Sequence, residues 1–313
     1  MEKTTRSATT EETVLKGSIQ ESLDQSAGKE QTFRAAPKMD KSPLHGMWAL
    51  TQRDLRKWYK NPILLMMSLI QPIIWLGLFG KALNFTSFIS AAPGATQAQT
   101  NQIMLSTFGT TSYFSFLVCG MLAFVILFNS AFGGMSVVFD KRFGFMDKAL
   151  TTPISRGAIV IAKVLQVVVR SLILAAIILV VGAALGMETS QMTVLGLLGA
   201  FGAMFLMAFG LSSLFVMLAL RSSDWQTQMA VINLLNLPLL FASNALFPVK
   251  IMPSWLQTVV KFNPVSYAND AARQLLIGAT GANSLLIDFG VLIVFAVVFA
   301  SVSIILSWRL LSK

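Results

Sequence analysis

One cysteine and one histidine in 313 residues leave little for metal or nucleophilic chemistry. Cys119 lies inside an apolar run, where a small packing role is expected, and with no second thiol the chain can form no internal disulfide. His45 lacks the companions of a zinc site or a Cys/His pair, and no Gly-x-Ser-x-Gly elbow marks a serine hydrolase. There is no P-loop either. Gly28-Lys29 and Gly80-Lys81 lack both the leading glycine and the following hydroxyl residue, so the chain is not expected to hold ATP in the P-loop manner. Charge is equally scarce, at 12% of residues against 55% hydrophobic, and the mean hydropathy of +0.68 lies outside the range of soluble domains. The expected solvent is a bilayer.

The charge that is present is unevenly placed. Residues 1–37 carry five basic and six acidic residues, while the remainder carries nineteen basic and eight acidic. A basic excess in a hydrophobic chain belongs on cytoplasmic loops near anionic headgroups, and no basic stripe with interleaved stacking aromatics suggests nucleic acid. Residues 1–37, rich in Thr, Ser, Glu, Gln and Lys, bury too little surface to offset their ordering entropy and read as a disordered cytoplasmic tail without a secretory h-region. Residues 38–62 read as an amphipathic interfacial helix: Leu44, Trp48, Leu55 and Trp58 recur at helical spacing, with Arg53, Arg56, Lys57 and Lys60 on other faces. Asn61-Pro62 then re-aims the chain into the membrane.

Residues 63–313 read as an all-α integral membrane domain with six spans: Ile63–Leu83, Tyr113–Phe139, Val164–Leu185, Val194–Leu220, Met229–Phe247 and Phe289–Trp308. Each approaches the roughly 20 residues that cross a hydrocarbon core. Counted from Lys38, Lys and Arg number six before the first span, five in 140–163, one in 221–228 and two at the C-terminal end. The opposite loops have none in 84–112, none in 186–193 and three in 248–288. The positive-inside rule therefore puts both ends in the cytoplasm of a multi-pass cell-membrane protein. Residues 84–112 read as an uncharged outer loop. In 248–288, prolines punctuate an apolar segment, Asn263-Pro264 breaks it, and Val265–Ile277 is too short a helix to span. Paired half-helices re-entering the outer leaflet between spans five and six fit this pattern.

No carboxylate sits mid-span, which disfavours coupling to an ion gradient. Arg170 is the one cation well inside a span. It can snorkel to the inner headgroups or face the bundle interior and pair with a polar group or an anionic lipid-like substrate. Asn129, Asn233 and Asn236 are polar residues in apolar spans, suited to helix-to-helix hydrogen bonds or to lining a transport path with Arg170. Gly196, Gly199, Ala200 and Ala203 form small-xxx-small pairs for close packing, inside the subunit or at a dimer seam. In the outer segment, Asn263 and Tyr267 are the nearest side chains able to satisfy the turn made with Pro264, and Asp270 and Arg273 are spaced i,i+3 for a local ion pair. These five residues form a candidate outer gate.

Three stretches resemble the type-2 family of ABC exporter permeases, with the daunorubicin-resistance-type branch the nearest in character. They are Leu50-Thr51-Gln52-Arg53-Asp54-Leu55-Arg56-Lys57 before Asn61-Pro62; Leu150-Thr151-Thr152-Pro153-Ile154-Ser155-Arg156; and the series from Ser243 through Phe247-Pro248, Pro253-Ser254-Trp255-Leu256 and Asn263-Pro264-Val265-Ser266-Tyr267 to Asp270-Ala271-Ala272-Arg273. The resemblance covers residues 44–313. It implies that the first cytoplasmic loop carries a coupling helix, here Asp147, Lys148, Thr152, Pro153 and Arg156, that docks on a separate ABC ATPase. Asp147 stands where the family commonly has Glu. It also implies a second permease subunit, as a homodimer or with a close homologue, and ATP and magnesium held by the partner ATPase rather than by this chain. No catalytic or metal-binding residue is implied. The expectation is a permease that exports a hydrophobic or amphipathic drug, lipid or glycan-like molecule, in contact with membrane lipids. The rival readings are an ATP-independent carrier or channel, of which the carrier is disfavoured by the missing intramembrane carboxylates, and a membrane-embedded lipid-modifying enzyme, which would need a polar cluster at one depth.

Overall fold

The computed structural model describes residues 43–82, 96–151, 154–222 and 224–310; the expected tail at 1–37 lies outside them. Among the described residues every regular element is helical. Helix α1 spans Pro43–Tyr59, and α2 spans Pro62–Gly77 with a π turn at Leu78–Ala82; each starts on a proline, whose missing N–H costs nothing at a first turn. Helix α3, Gln97–Phe108, occupies a stretch that the sequence reading leaves as loop. A capping box explains it: Thr96 accepts from the Gln99 N–H while the Gln99 side chain accepts from the Thr96 N–H.

Helix α4, Tyr113–Gly133, follows the N-cap Ser112, and Gly134 joins it to α5, Met135–Arg142. The expected second span is therefore jointed within its length. Helix α6, Phe145–Leu150, is reached through Gly144, whose φ of +68° is a left-handed conformation that favours glycine. Helix α7, Arg156–Ala184, starts eight residues before the expected span because Ser155 caps it by accepting from the Ala158 N–H. Helix α8 is Val194–Arg221 and α9 is Trp225–Phe241, capped by Thr193 and Asp224. A 3₁₀ turn at Val249–Ile251 leads to α10, Ser254–Val260, and α11, Pro264–Ile277. Helix α12, Leu285–Leu310, completes the described chain.

Among the described residues, four helical segments are long and apolar enough to cross a membrane: Gln97–Arg142, Arg156–Ala184, Val194–Arg221 and Leu285–Arg309. The stretches expected as spans one and five hold shorter helices, α2 and α9, of 16 and 17 residues. Helix α4 is central, buried along almost its whole length and packed on α7 and α8. Helix α8 also packs on α11 and α12, and α1 lies along α7. Large apolar side chains of α2, α9 and α12 point outward, among them Met67, Leu234 and Val294. An apolar exterior on an all-helical chain of this hydropathy marks a multi-pass membrane protein.

Backbone contacts this close need small residues. A Cβ on Gly120 of α4 would fall 1.9 Å from the Ala245 carbonyl oxygen, and one on Gly196 of α8 would fall 2.4 Å from the Leu275 carbonyl oxygen of α11. The Gly196 and Gly199 positions thus pack inside the protomer, against α11.

Candidate functional site

Where α5, α6 and α7 meet, α6 buries Met146 and Ala149 and turns Asp147 and Lys148 outward. Arg156 follows at the first position of α7. These three residues share one loop at one end of the bundle; Thr152 and Pro153 lie outside the described residues. Beneath the loop is a charge cluster that sequence reasoning missed. Lys163 of α7 donates to Asp54 Oδ2 of α1 at 2.6 Å and pairs with Asp140 of α5. Arg53 pairs with Asp54 at 2.5 Å and with Asp140 at 3.5 Å, and its guanidinium lies 3.7 Å from the Phe145 ring centroid of α6. The Lys163 side chain is only 6% exposed. Two cations and two carboxylates balance, which is what makes their burial tolerable. They tie α1, α5, α6 and α7 together at one point. The sequence signal was a lysine seven residues before Arg170, on the same face of α7.

Arg170 faces the bundle interior. Its Nε and Nη2 donate to Asn129 Oδ1 at 2.8 and 2.6 Å, and Asn129 Nδ2 donates to the Val125 carbonyl at 3.0 Å. The Trp58 ring of α1 lies 5.9 Å from the guanidinium. Two of the four candidate path residues are therefore partners, and the arginine does not snorkel. The other two sit apart on α9: Asn236 is buried, with its Oδ1 lacking a hydrogen-bond partner, and Asn233 is exposed.

The other end of α4 meets the segment that contains α10 and α11. Asn263 caps α11 by accepting from the Val265 N–H at 3.0 Å. Its Nδ2 donates to the Leu239 and Ala242 carbonyls at 2.7 and 2.6 Å, so it also fastens the end of α9, whose last carbonyls have no helical donor. Pro264 takes the first helical position, and the Tyr267 hydroxyl donates to the Lys261 carbonyl at 2.6 Å. Both side chains expected to satisfy this turn do so.

The expected Asp270–Arg273 ion pair is not among the described ion pairs. Asp270 instead accepts from the Ala282 and Asn283 N–H groups at 3.1 and 3.0 Å. Arg273 donates to the Phe116 and Ala245 carbonyls, from 3.0 to 3.3 Å, and its guanidinium stacks 3.5 Å from the Phe116 ring centroid. Both residues are buried, and there an unmet backbone group costs more than a helix-surface ion pair gains. With Asn244 and Lys250 they line a cleft of about 210 Å³.

The loop with α6 at one end and the Asn-Pro-capped α11 at the other lie along a single chain with a characteristic order of parts. The profile of the ABC-2 type transporter family matches residues 45–277, most of the described chain. The chain belongs to that family. This ABC-2 permease is 33% identical over 228 residues to the ycf38 transport permease of Porphyra purpurea, covering 72% of each chain. It is 29% identical over 175 residues to the daunorubicin resistance ABC transporter permease protein DrrB1 of Streptomyces coeruleorubidus, covering 55% of this chain and 60% of that one. With nodulation protein J of Rhizobium leguminosarum bv. trifolii it shares 26% identity over 233 residues, 74% of this chain and 80% of the relative. The family match spans α1 to the end of α11, so it includes both ends of the permease just described.

Proposed function

We propose that this permease is the membrane subunit of an ATP-driven exporter for a hydrophobic or amphipathic substrate. It crosses the cell membrane six times with both ends in the cytoplasm, α2 and α9 serving as the first and fifth spans and α10–α11 as the re-entrant pair. A separate cytoplasmic ABC ATPase, which supplies ATP and magnesium, docks on the loop around α6. The observation that carries this reading is the family match together with a charged helix that is anchored from beneath: Asp147 and Lys148 point outward from a loop that the Arg53, Asp54, Asp140 and Lys163 cluster ties to three longer helices. A load applied at α6 would reach Arg53 of α1 through the Phe145 ring, and from there α5 and α7 through short ionic contacts. The daunorubicin resistance named in one relative supports an apolar or amphipathic cargo. Exposed Asn233, amid outward Leu234 and Leu237 on α9, supports a second permease copy on that face, because an amide facing lipid lacks a hydrogen-bond partner.

The test is ATP-dependent uptake of a fluorescent hydrophobic cation by inside-out vesicles in which the permease is co-expressed with an ABC ATPase encoded beside it. Asp147→Lys and Arg156→Glu should each lower uptake at least tenfold while leaving membrane insertion intact. Wild-type uptake in both would reject the coupling assignment, and ATP-independent uptake would reject the exporter reading.

A further inference from the structure

The last turns of α1 and the first turns of α2 together have the two-part chemistry of a phospholipid site. Arg53, Arg56 and Lys57 of α1 and Lys60 just after it recur at helical spacing and, with Ala49 and Gln52, line an open cleft of about 410 Å³ with no acidic residue among the described residues of its lining. Arg53 is engaged by the charge cluster. Arg56, Lys57 and Lys60 are exposed, and no carboxylate of the described residues pairs with them; Lys57 has only the Phe145 ring, 5.9 Å away. Just beyond Asn61 an exposed apolar stripe begins on α2 at Ile63 and continues through Met66, Met67, Ile70 and Ile74. Eleven residues of helix rise about 16 Å, roughly one leaflet of a 30 Å hydrocarbon core. Tyr59, more than half exposed, suits the headgroup layer between the two regions.

We propose that this junction binds an anionic phospholipid, with its phosphate at Arg56, Lys57 and Lys60 and its acyl chains along the α2 stripe. A soluble anion would use the cations and leave the stripe bare, and an acidic protein surface would likewise satisfy only the charged half. Charge and apolar length together select an amphiphile with a negative head. The site rests on the orientation proposed above only for its leaflet, the cytoplasmic one, where anionic lipids are commonly enriched.

The experiment needs no ATPase and no transport, so it can fail independently of the exporter reading. The full chain, purified in detergent, is given equimolar phosphatidylglycerol and phosphatidylcholine of matched chains, and retained lipid is counted by native mass spectrometry. Phosphatidylglycerol should be retained at least tenfold in preference. The preference should fall about twofold for each cation removed in Arg56→Gln, Lys57→Gln and Lys60→Gln and be nearly lost when the three are combined. Should the combined variant fail to fold, the wild-type preference must still decline as sodium chloride rises from 0.05 to about 0.5 M. Equal retention of the two lipids, or a preference unmoved by the substitutions and by salt, overturns the proposal. Displacement of phosphatidylglycerol by millimolar inorganic phosphate would reassign the cleft to a soluble anion, and displacement by polyglutamate would reassign it to an acidic protein partner; either result overturns the lipid assignment.

Discussion

Lys163 illustrates how a single side chain can be held by charge in a chain that is otherwise held by apolar packing. Its ammonium is buried between Asp54 and Asp140, so removing it leaves two carboxylates close together with only Arg53 to balance them. Lys163→Met should destabilise the permease by about 3–5 kcal/mol, since losing one partner of a buried pair leaves the other uncompensated. Thermal unfolding in detergent measures this, and a shift no larger than that of Arg56→Gln would contradict the assignment. Asn263 and Tyr267 differ in the opposite sense from their proximity in sequence. Asn263→Leu deprives two carbonyls and one N–H of their partner, at about 1–3 kcal/mol for each group left unmet. Tyr267→Phe removes one bond at an exposed hydroxyl and should cost less than about 1 kcal/mol. Export assays on the two variants then test the gate: wild-type rates in both would reduce the segment to a connector.

At the scale of elements, the decisive contact is the approach of α4 to the segment before the 3₁₀ turn. Gly120 lies against the Ala245 carbonyl, the same carbonyl that receives Arg273. Gly120→Ala cannot be absorbed by a flexible side chain, because the obstacle is backbone. It should cost about 1–3 kcal/mol and loosen the Arg273 contacts. Gly77→Ala, with nothing within 4 Å of the added carbon, is the control and should leave the melting temperature unchanged or raised. Equal melting temperatures for the two variants would show that the packing at Gly120 is slack. Helix α1 belongs to the same scale. Its Thr51 hydroxyl shares its proton between the Met47 carbonyl at 2.9 Å and the Ala162 carbonyl of α7 at 3.3 Å, so α1 is pinned to the bundle by a hydrogen bond as well as by ion pairs.

Across the whole molecule, the proposed topology makes a chemical prediction about which residues water can reach from each side. In a Cys119→Ser background, a single cysteine at residue 97 should react with an impermeant maleimide added outside intact cells, and one at residue 150 should react only after the cells are opened. The reverse pattern would invert the orientation and move the ATPase site to the wrong face. Cys119 itself is fully buried in α4, so its replacement by serine removes a competing thiol from the interior rather than from a reactive surface.

Sequence alone determined that this is a membrane protein without a nucleotide loop, because hydropathy and motif absence depend on composition and local order. It also determined the helix at 264–277 to within a residue, the helix at 43–59 as the inner part of the broader stretch 38–62, and the residues that satisfy the Asn263-Pro264 turn, since capping acts over three or four neighbours. The jointing at Gly134 and helix α3 were local too, but their signals, a glycine pair and a Thr-x-x-Gln box, were weak beside the strong apolar run that follows. Tertiary structure decided the partners of charge. Asp54 and Lys163 are 109 residues apart, Asn129 and Arg170 are 41 apart, and Arg273 reaches a carbonyl 157 residues away. No periodicity encodes such pairings. Each buried charge takes whichever complementary group the packing of α1, α4 and α7 brings within about 3 Å, because in an apolar interior the cost of leaving it unpaired exceeds any preference for a neighbour in sequence.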